Sequence, residues 1–370
     1  MTNVIDYLRW RGDITFEQVK LNEVDNLILS QLAFVDFSGI VPSDPSAPPI
    51  TLKQAAMQFF FENNVKRTTR PGLIISPQTY KMFRMMADTK RFSGLQLSAF
   101  VNEIDQKEEK QFCAITYRLK EKLSYIAIRG TDDTIVGWKE DFNLSFLDEI
   151  PSHKRVVEYV NGVISTQPGN FYIGGHSKGG HLSMYASIKC APEHKNRIVA
   201  VFNNDGPGLS ATITSSPEYK AMESRFHVYM PQNSVVGMFF DNRGRGRIVK
   251  SNQVGVLQHD GMSWEVMGSN FVRANKIGND AVNTILLNER IHSLSPEARK
   301  HFVDVLFGML ESTGVKTLSE LNARSLSSIV AMIKTFADLD KKERELMLML
   351  VGLLLDLPLL DAKTIEDAMD

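Results

Sequence analysis

Cysteine is scarce in this sequence. Only Cys113 and Cys190 occur among 370 residues, and each stands in an apolar or helical stretch without a partner at metal-binding spacing. This pattern excludes a disulfide-stapled secreted scaffold and predicts two buried, free thiols in a reducing compartment. We therefore expect a cytoplasmic protein.

Excess charge and a membrane-length apolar run are also lacking. The 42 Lys and Arg residues and 43 Asp and Glu residues leave a formal net charge of −1, which does not favour nucleic-acid binding. Residues 1–7 have neither the basic region nor the apolar core of a signal peptide. The longest apolar run, residues 346–355, is too short to cross a bilayer. The sequence thus predicts no nucleic-acid partner and no transmembrane segment.

Strand-like and helix-like segments alternate over the first part of the chain. Strands are predicted at 95–103 and 111–119, as a hairpin, and at 124–129, 171–174, 197–203, 226–230, 247–251 and 254–257. Helices are predicted at 22–35, 51–62, 77–88 and 154–166. This alternation is typical of an α/β fold with a mostly parallel central sheet flanked by helices.

The pattern changes to helices alone after about residue 275. Ser295-Pro296 predicts a helix start, Gly314 its end, and two further helices are predicted at 318–336 and 343–355. We therefore predict an α/β domain at 1–275 and an all-helical appendage at 276–370. The appendage could be a cap over the site, a packing extension, or a homodimer surface.

One motif carries the chemistry of the chain. An apolar strand, 171–173, runs into a G-x-S-x-G turn followed by a helix-like stretch: Gly175-His176-Ser177-Lys178-Gly179. Strand, sharp turn and helix are the setting in which a serine is exposed as a nucleophile, with a helix N-terminus behind it. Ser177 is therefore the candidate nucleophile. A tight turn with an idle serine is the alternative.

A serine nucleophile needs a base, and the base follows the last strand in α/β-hydrolases. His259 stands there, after an apolar strand and before a loop. The other downstream histidines lie on the helix after the serine, at a strand start, or in the appendage. His259 is accordingly the candidate general base.

The acid that orients the base is less evident. Its usual place follows the strand 226–230, where Asn233-Ser234 stand instead of a carboxylate. Asp205 ends the preceding strand and could reach the same imidazole, so it is our candidate, although Asp-Gly-Pro-Gly is also an ordinary turn. Asp260 adjoins the histidine and is poorly placed, and Asp241 lies in an arginine-rich loop. A serine–histidine pair oriented by Asn233 or Ser234 stays open.

Two backbone N–H groups must hold the oxyanion. One is expected from Lys178, the residue after the nucleophile, and the other from the loop after the third strand. Gly130 lets that loop bend close to the site, and Thr131 could add a hydroxyl donor.

Three segments resemble class 3 (fungal-type) lipases. They are Arg129-Gly130-Thr131 followed by Trp138 and Asp141-Phe142-Asn143; the turn Gly174 to Gly180; and His259 before Trp264. The chain most resembles a bacterial branch of these hydrolases over about residues 20–270. The resemblance implies an α/β-hydrolase fold, carboxylic ester hydrolysis and Thr131 as an oxyanion residue.

The chain departs from that family at two places. Asn233-Ser234 stand near the family's aspartate, and Lys178 stands where the lipases usually carry an apolar residue. The Lys178 ammonium could attract an anionic substrate or lie against its own helix.

The sequence as a whole predicts a serine esterase or lipase that acts on a small-molecule or lipid ester, without a metal or organic cofactor. Two alternatives remain: a catalytically impaired binding or scaffold protein with the same fold, and an acyl transferase that uses the same residues. The segment 132–150 is a candidate lid.

Overall fold

The computed structural model describes residues 2–62, 76–239, 246–279 and 295–320, apart from residue 318, with a few single positions between 280 and 294 and beyond 320. The two helices predicted at 318–336 and 343–355 lie outside the described residues, apart from residues 319 and 320 and a few single positions. So does the candidate acid Asp241.

An eight-stranded sheet forms the centre of the molecule, and its strand order is the chain order. Strands β1 to β4 pair antiparallel, and strands β4 to β8 pair in parallel. Their bounds are β1 Ile50–Thr51, β2 Gln96–Asp105, β3 Lys110–Lys120, β4 Leu123–Ile128, β5 Asn170–His176, β6 Ile198–Asn204, β7 Phe226–Pro231 and β8 Gly246–Val249. A two-stranded hairpin follows, with β9 Val266–Met267 and β10 Asn270–Phe271.

Helices cover the sheet. The first four are α1 Val4–Arg11, α2 Glu23–Leu32, α3 Leu52–Met57, which continues as a π-helix over Gln58–Glu62, and α4 Gln78–Ala87. The next six are α5 Ile135–Asn143, α6 Pro151–Thr166, α7 Lys178–Lys189, α8 Pro192–Lys195, α9 Ala211–Thr214 and α10 Pro217–Met222. The last of the described ranges holds α11 Pro296–Ser312. This layered architecture confirms the predicted α/β-hydrolase-like fold.

Each face of the sheet has its own apolar core. The N-terminal helices α1 to α4 pack against one face, where Tyr117, Tyr125 and Phe202 are buried. Helices α6, α7 and α10 pack against the other face, where Ile126, Ile173 and Val228 are buried. Parallel strands that follow one another in chain order, joined by right-handed crossovers, place all the crossover helices on one side. The opposite side is therefore left for the N-terminal helices.

Helix α2 shows how the sequence specifies one of these covering elements. Asn22 caps it through a capping box with Asp25, as the sequence predicts for the start of this helix. All ten of its residues are buried. Its polar side chains are matched from the sheet: Asn26 donates to the Asn204 side-chain oxygen over 2.8 Å, and the Tyr125 hydroxyl donates to Asn26 Oδ1 over 2.6 Å.

Helix α11 begins and ends where the sequence predicts. Ser295 caps its first turn, and Gly314 follows its end with a φ of +71°. The helix packs on α5 through an apolar cluster of Ile135, Val303 and Phe307, to which Val315 is added from the segment after the helix. The domain division at residue 275 stays a prediction.

The segment 254–257 is not the strand that its apolar residues predict. Gly255–His259 form a 3₁₀ helix, and Gly255 has a φ of +54°, which turns the chain out of the extended conformation. Cys113 and Cys190 are free and buried, as predicted. None of the helices in the described ranges combines the length and the apolar character needed to span a bilayer.

Candidate active site

Ser177 occupies a sharp turn between β5 and α7. Its φ of 58° and ψ of −136° lie outside the conformations that a serine ordinarily adopts. The turn is fixed by the Ser177 N–H, which donates to the Asn204 carbonyl over 3.0 Å. Both motif glycines are required here, because a Cβ on Gly175 or Gly179 would overlap the Ile128 carbonyl oxygen at the end of β4.

Asp205 and His259 form a direct pair. The distance between His259 Nδ1 and Asp205 Oδ2 is 2.6 Å, and the other carboxylate oxygen accepts from the Ser234 hydroxyl over 2.5 Å. Asp205 is fully buried, whereas the His259 side chain is 17% exposed. Burial raises the pKa of Asp205, and the contacts with His259 and Ser234 oppose that shift. Because a carboxylate only accepts, Nδ1 of His259 carries the proton and Nε2 is the basic nitrogen.

His259 lies against the serine turn. His176, the residue before the serine, directs Nε2 at the His259 carbonyl over 2.8 Å, and the two imidazole centroids are 4.6 Å apart. Burial, together with the nearby His259 imidazole, lowers the pKa of His176 to about 3, although the hydrogen bond to the His259 carbonyl opposes the shift. His176 is therefore neutral at physiological pH and acts as a donor through Nε2.

The loop after β4 approaches the serine closely. A Cβ on Gly130 would lie 2.9 Å from Ser177 Cβ, so only glycine allows this approach. Lys178 is the first residue of α7, and an N–H in the first helical turn has no acceptor within its own helix. The Thr131 hydroxyl, by contrast, donates to the Asp141 carboxylate. This contact leaves the Thr131 N–H, rather than its hydroxyl proton, for an oxyanion.

The Lys178 side chain turns away from solvent and is 1% exposed. Its ammonium lies 2.8 Å from Glu140 Oε2 and 3.4 Å from Asp141 Oδ1, both on α5. Burial by itself lowers the pKa of Lys178, but the two carboxylates outweigh it, and the net pKa is raised. The ammonium is thus paired inside the protein and does not face a substrate.

The other described residues considered for orienting the base have different partners. Ser234 donates to Asp205 and accepts from the Gly237 N–H over 2.9 Å. The Asn233 N–H donates to the Gln258 side chain over 3.0 Å. Asp260 accepts from the Met262 N–H over 2.9 Å, at the start of a 3₁₀ helix. The structure therefore brings Asp205 to the candidate base, one strand earlier than the usual place.

A pair of buried histidines supports the loop after Asp205. His153 Nδ1 accepts from the Ile150 N–H over 3.1 Å, so its Nε2 carries the proton that reaches His181 Nε2 over 2.7 Å. His181 Nδ1 then donates to the Gly208 carbonyl over 2.7 Å. This series of hydrogen bonds is consistent only with two neutral imidazole rings. Burial lowers the pKa of His153 well below its ordinary value and that of His181 to about 4.

Three of these contacts were not anticipated from the sequence. The histidine pair, the Ser234 contact with Asp205 and the Lys178 ion pairs each join residues far apart in the chain. For the contact between Ser234 and Asp205, the only signal in the sequence was the polar character of Asn233-Ser234 at the usual position of the acid. Within the described ranges, no group of three or more His, Cys, Asp or Glu side chains is placed to hold a metal ion.

The fold and the serine turn define an α/β-hydrolase-like protein. The chain belongs to the Mbeg1-like family, whose family model matches residues 86–308. No curated protein matches it. Among solved structures it is similar to the crystal structure of M37 lipase, with 14% identity, a TM-score of 0.33, and coverage of 57% of this chain and 68% of that one. At that identity and TM-score the similarity carries no argument about catalysis.

Proposed function

We propose that the protein is a serine hydrolase that cleaves carboxylic esters through an acyl-enzyme on Ser177. The observation that supports this most strongly is the 2.6 Å contact between His259 and buried Asp205, on a histidine that packs against the turn of Ser177. A strained serine, a histidine beside its turn and a buried acid together match the requirements of nucleophilic catalysis.

In the proposed acylation step, Ser177 Oγ attacks the ester carbonyl while His259 Nε2 takes the hydroxyl proton. Asp205 stabilises the imidazolium that forms. The N–H groups of Lys178 and Thr131 hold the oxyanion. Collapse of the tetrahedral intermediate breaks the bond to the alkoxy group, which receives the proton from His259 and leaves as an alcohol.

In the second step, water attacks the acyl-enzyme. His259 takes a proton from the water, and the new tetrahedral intermediate collapses to release the carboxylic acid and restore the Ser177 hydroxyl. An alcohol in place of water would give acyl transfer. Rates measured with alcohol acceptors and with water alone separate these two outcomes.

The substrate class, a small-molecule or lipid ester, belongs to the same proposal. Cytoplasmic location and homodimerisation through the C-terminal helices also stay predictions.

The test is labelling with a fluorophosphonate probe, followed by peptide mass spectrometry. We expect the adduct on Ser177 in the wild type and no adduct in Ser177→Ala. A panel of short-chain esters should then be hydrolysed by the wild type only. A well-folded wild type that neither labels nor hydrolyses esters would instead favour a binding or scaffold protein.

A further inference from the structure

The ammonium of Lys178 stands at the centre of a buried polar cluster directly beside the serine turn. Besides the two carboxylates, it donates to the Gln111 carbonyl over 3.2 Å. A buried cation is costly unless it is paired and hydrogen-bonded. An apolar residue next to the nucleophile would pack without this cost. The buried lysine at this position is therefore expected to have a role that an apolar residue could not fill.

Glu140 supplies a rigid anchor for that ammonium. Its carboxylate accepts from the Gln111 N–H over 3.0 Å, from the Ser152 N–H over 2.9 Å and from the Ser152 hydroxyl over 2.9 Å. These donors belong to β3 and to the first turn of α6. Glu140 is thus fixed by three hydrogen bonds from two elements and holds the ammonium in one place.

Asp141 connects the ammonium to the other side of the serine. One carboxylate oxygen faces Lys178, and the other accepts from the Thr131 hydroxyl. Thr131 follows Gly130, whose backbone lies against Ser177. A closed path therefore runs from the Lys178 backbone through its ammonium, Asp141 and Thr131 back to the serine turn.

We infer that the Lys178 ammonium is a positioning group for the oxyanion hole. The two N–H groups assigned to the oxyanion, those of Lys178 and Thr131, lie at the two ends of this path. Through Asp141, the ammonium fixes how far apart they are and how they are oriented. This inference rests on the proposed function, and it adds a role for the side chain of a residue whose backbone alone was assigned there.

The same contacts make α5 a fixed support rather than a lid. Its inner side is tied to the nucleophile helix by Glu140 and Asp141, and its outer side is covered by α11 through Ile135 and Phe307. Opening this helix would separate the buried Lys178 ammonium from both carboxylates and leave the buried Glu140 carboxylate without its cation. Substrate is therefore expected to reach Ser177 without displacement of α5.

The experiment compares kcat and KM for a short-chain ester in wild type, Lys178→Met, Asp141→Asn and the double variant. Asp141→Asn is the decisive single change, because it keeps the size of the side chain and leaves the Lys178–Glu140 pair intact. We expect kcat to fall about 10-fold to 100-fold in each single variant, with KM within about threefold of wild type, because misplaced oxyanion donors act on the transition state. The double variant should lose no more than the worse single variant, because both changes interrupt one path.

Lys139→Met is the matched control. Lys139 lies on the same helix and pairs with Glu109 and Glu311 over 2.9 and 3.6 Å, away from the serine turn. Its kcat should stay within about twofold of wild type. An equal loss of kcat in Lys139→Met would mean that loosening of α5 alone explains the effect, and would overturn the inference.

The other outcomes are also decisive. Wild-type kcat in Asp141→Asn, or its failure to fold as judged by circular dichroism, would overturn the inference, because the cluster would then serve stability alone. A folded wild type without fluorophosphonate labelling would overturn the proposed function itself, and the inference with it. Labelling of the wild type therefore distinguishes the two failures.

Discussion

Two residues at the ends of neighbouring parallel strands have left-handed backbone conformations. Ser177 follows β5 with a φ of 58°, and Asp205 follows β6 with a φ of 54°. The residues just before them, His176 and Asn204, are directly paired across the sheet. Such conformations cost of order 1 kcal/mol or more for residues other than glycine. Their occurrence at the ends of two adjacent strands, one on the candidate nucleophile and one on the partner of His259, is typical of a functional site.

The first prediction concerns Asp205. Asp205→Asn should keep the fold but lower kcat by about 10²-fold to 10⁴-fold, because an amide can no longer hold His259 with its proton on Nδ1. Steady-state ester hydrolysis and the rate of fluorophosphonate labelling measure the loss. Asp260→Asn is the matched control and should leave both rates nearly unchanged, because Asp260 caps a 3₁₀ helix instead. Equal losses in the two variants would contradict the assignment of the acid.

The second prediction concerns the buried histidine pair. Because the pKa of His181 is lowered to about 4, the unfolded state binds more protons than the folded state below the ordinary histidine pKa of about 6.5. The contribution of His181 to the free energy of unfolding is therefore fully present above about pH 6.5 and is lost as the pH falls toward 4. At pH 5 the loss is about 2 kcal/mol. The pKa of His153 is also lowered, so its contribution to stability depends on pH in the same direction.

Urea unfolding between about pH 8 and pH 5 measures that loss. Nitrogen chemical shifts of the imidazoles at about pH 6 should show His153 with its proton on Nε2 and His181 with its proton on Nδ1. Titration of either ring near its ordinary pKa in the folded protein would contradict the neutral chain.

At the scale of elements, the contact between α5 and α11 yields a third prediction. The Phe307 ring is buried, and its centroid lies 5.5 Å from that of Phe142 in an edge-to-face arrangement. Phe307→Ala should lower the free energy of unfolding by about 3 kcal/mol, because it removes an aromatic side chain from a small apolar cluster. Thermal unfolding followed by circular dichroism measures the change.

Lys300→Ala, on the exposed side of the same helix, is the control. Lys300 pairs with Asp304 at the surface, and its loss should change stability by less than about 0.5 kcal/mol. If Phe307→Ala behaved like Lys300→Ala, the packing of α11 on α5 would contribute nothing to stability.

Elements with a clear local signal could be predicted from the sequence. The charged turn at 105–110 predicts the β2–β3 hairpin, and the caps at Asn22 and Ser295 predict the starts of α2 and α11. The two-residue strand β1 and the short β9–β10 hairpin are too brief for any periodicity to indicate them. The segment 254–257 misled because apolar residues alone do not distinguish a strand from a 3₁₀ turn.

The candidate site was predictable only where it follows the chain. The serine turn is one contiguous motif, so its geometry could be expected from the six neighbouring residues Gly174 to Gly179. Asp205 was one candidate among several, because its use depends on the pairing of β6 beside β5 and on the position of the loop with His259. The burial of Lys178 depends on α5, which a sequence pattern does not place.

At the scale of the whole molecule, the segment that matches the family model is shorter than the segment that packs around the central sheet. The match covers 86–308, whereas α1 to α3 and nearly all of α4 precede it. Those helices pack against one face of the sheet and supply much of the apolar core there. Asn26 of α2 also contacts Asn204, whose amide holds the Gly175 carbonyl over 3.0 Å at the serine turn.

The fourth prediction follows from that difference. A chain of residues 86–308 alone should not fold cooperatively, because the sheet face with Tyr117, Tyr125 and Phe202 would be exposed to water. Thermal unfolding and size-exclusion chromatography, with the full chain as control, should show aggregation and no cooperative transition. A cooperative transition with native circular dichroism would mean that the N-terminal helices are dispensable.

The agreement between strand order and chain order has a consequence for synthesis on the ribosome. Each new strand leaves the exit tunnel when its partner is already present, and the sheet always grows at the same edge. No strand of this sheet has to be inserted between two that have already paired. The backbone of Ser177, however, is held by the carbonyl of Asn204 on β6. The hydrogen bond that fixes the backbone of Ser177 can therefore form only after the following strand has been translated, and we expect a nascent chain that stalls before residue 204 to lack this contact.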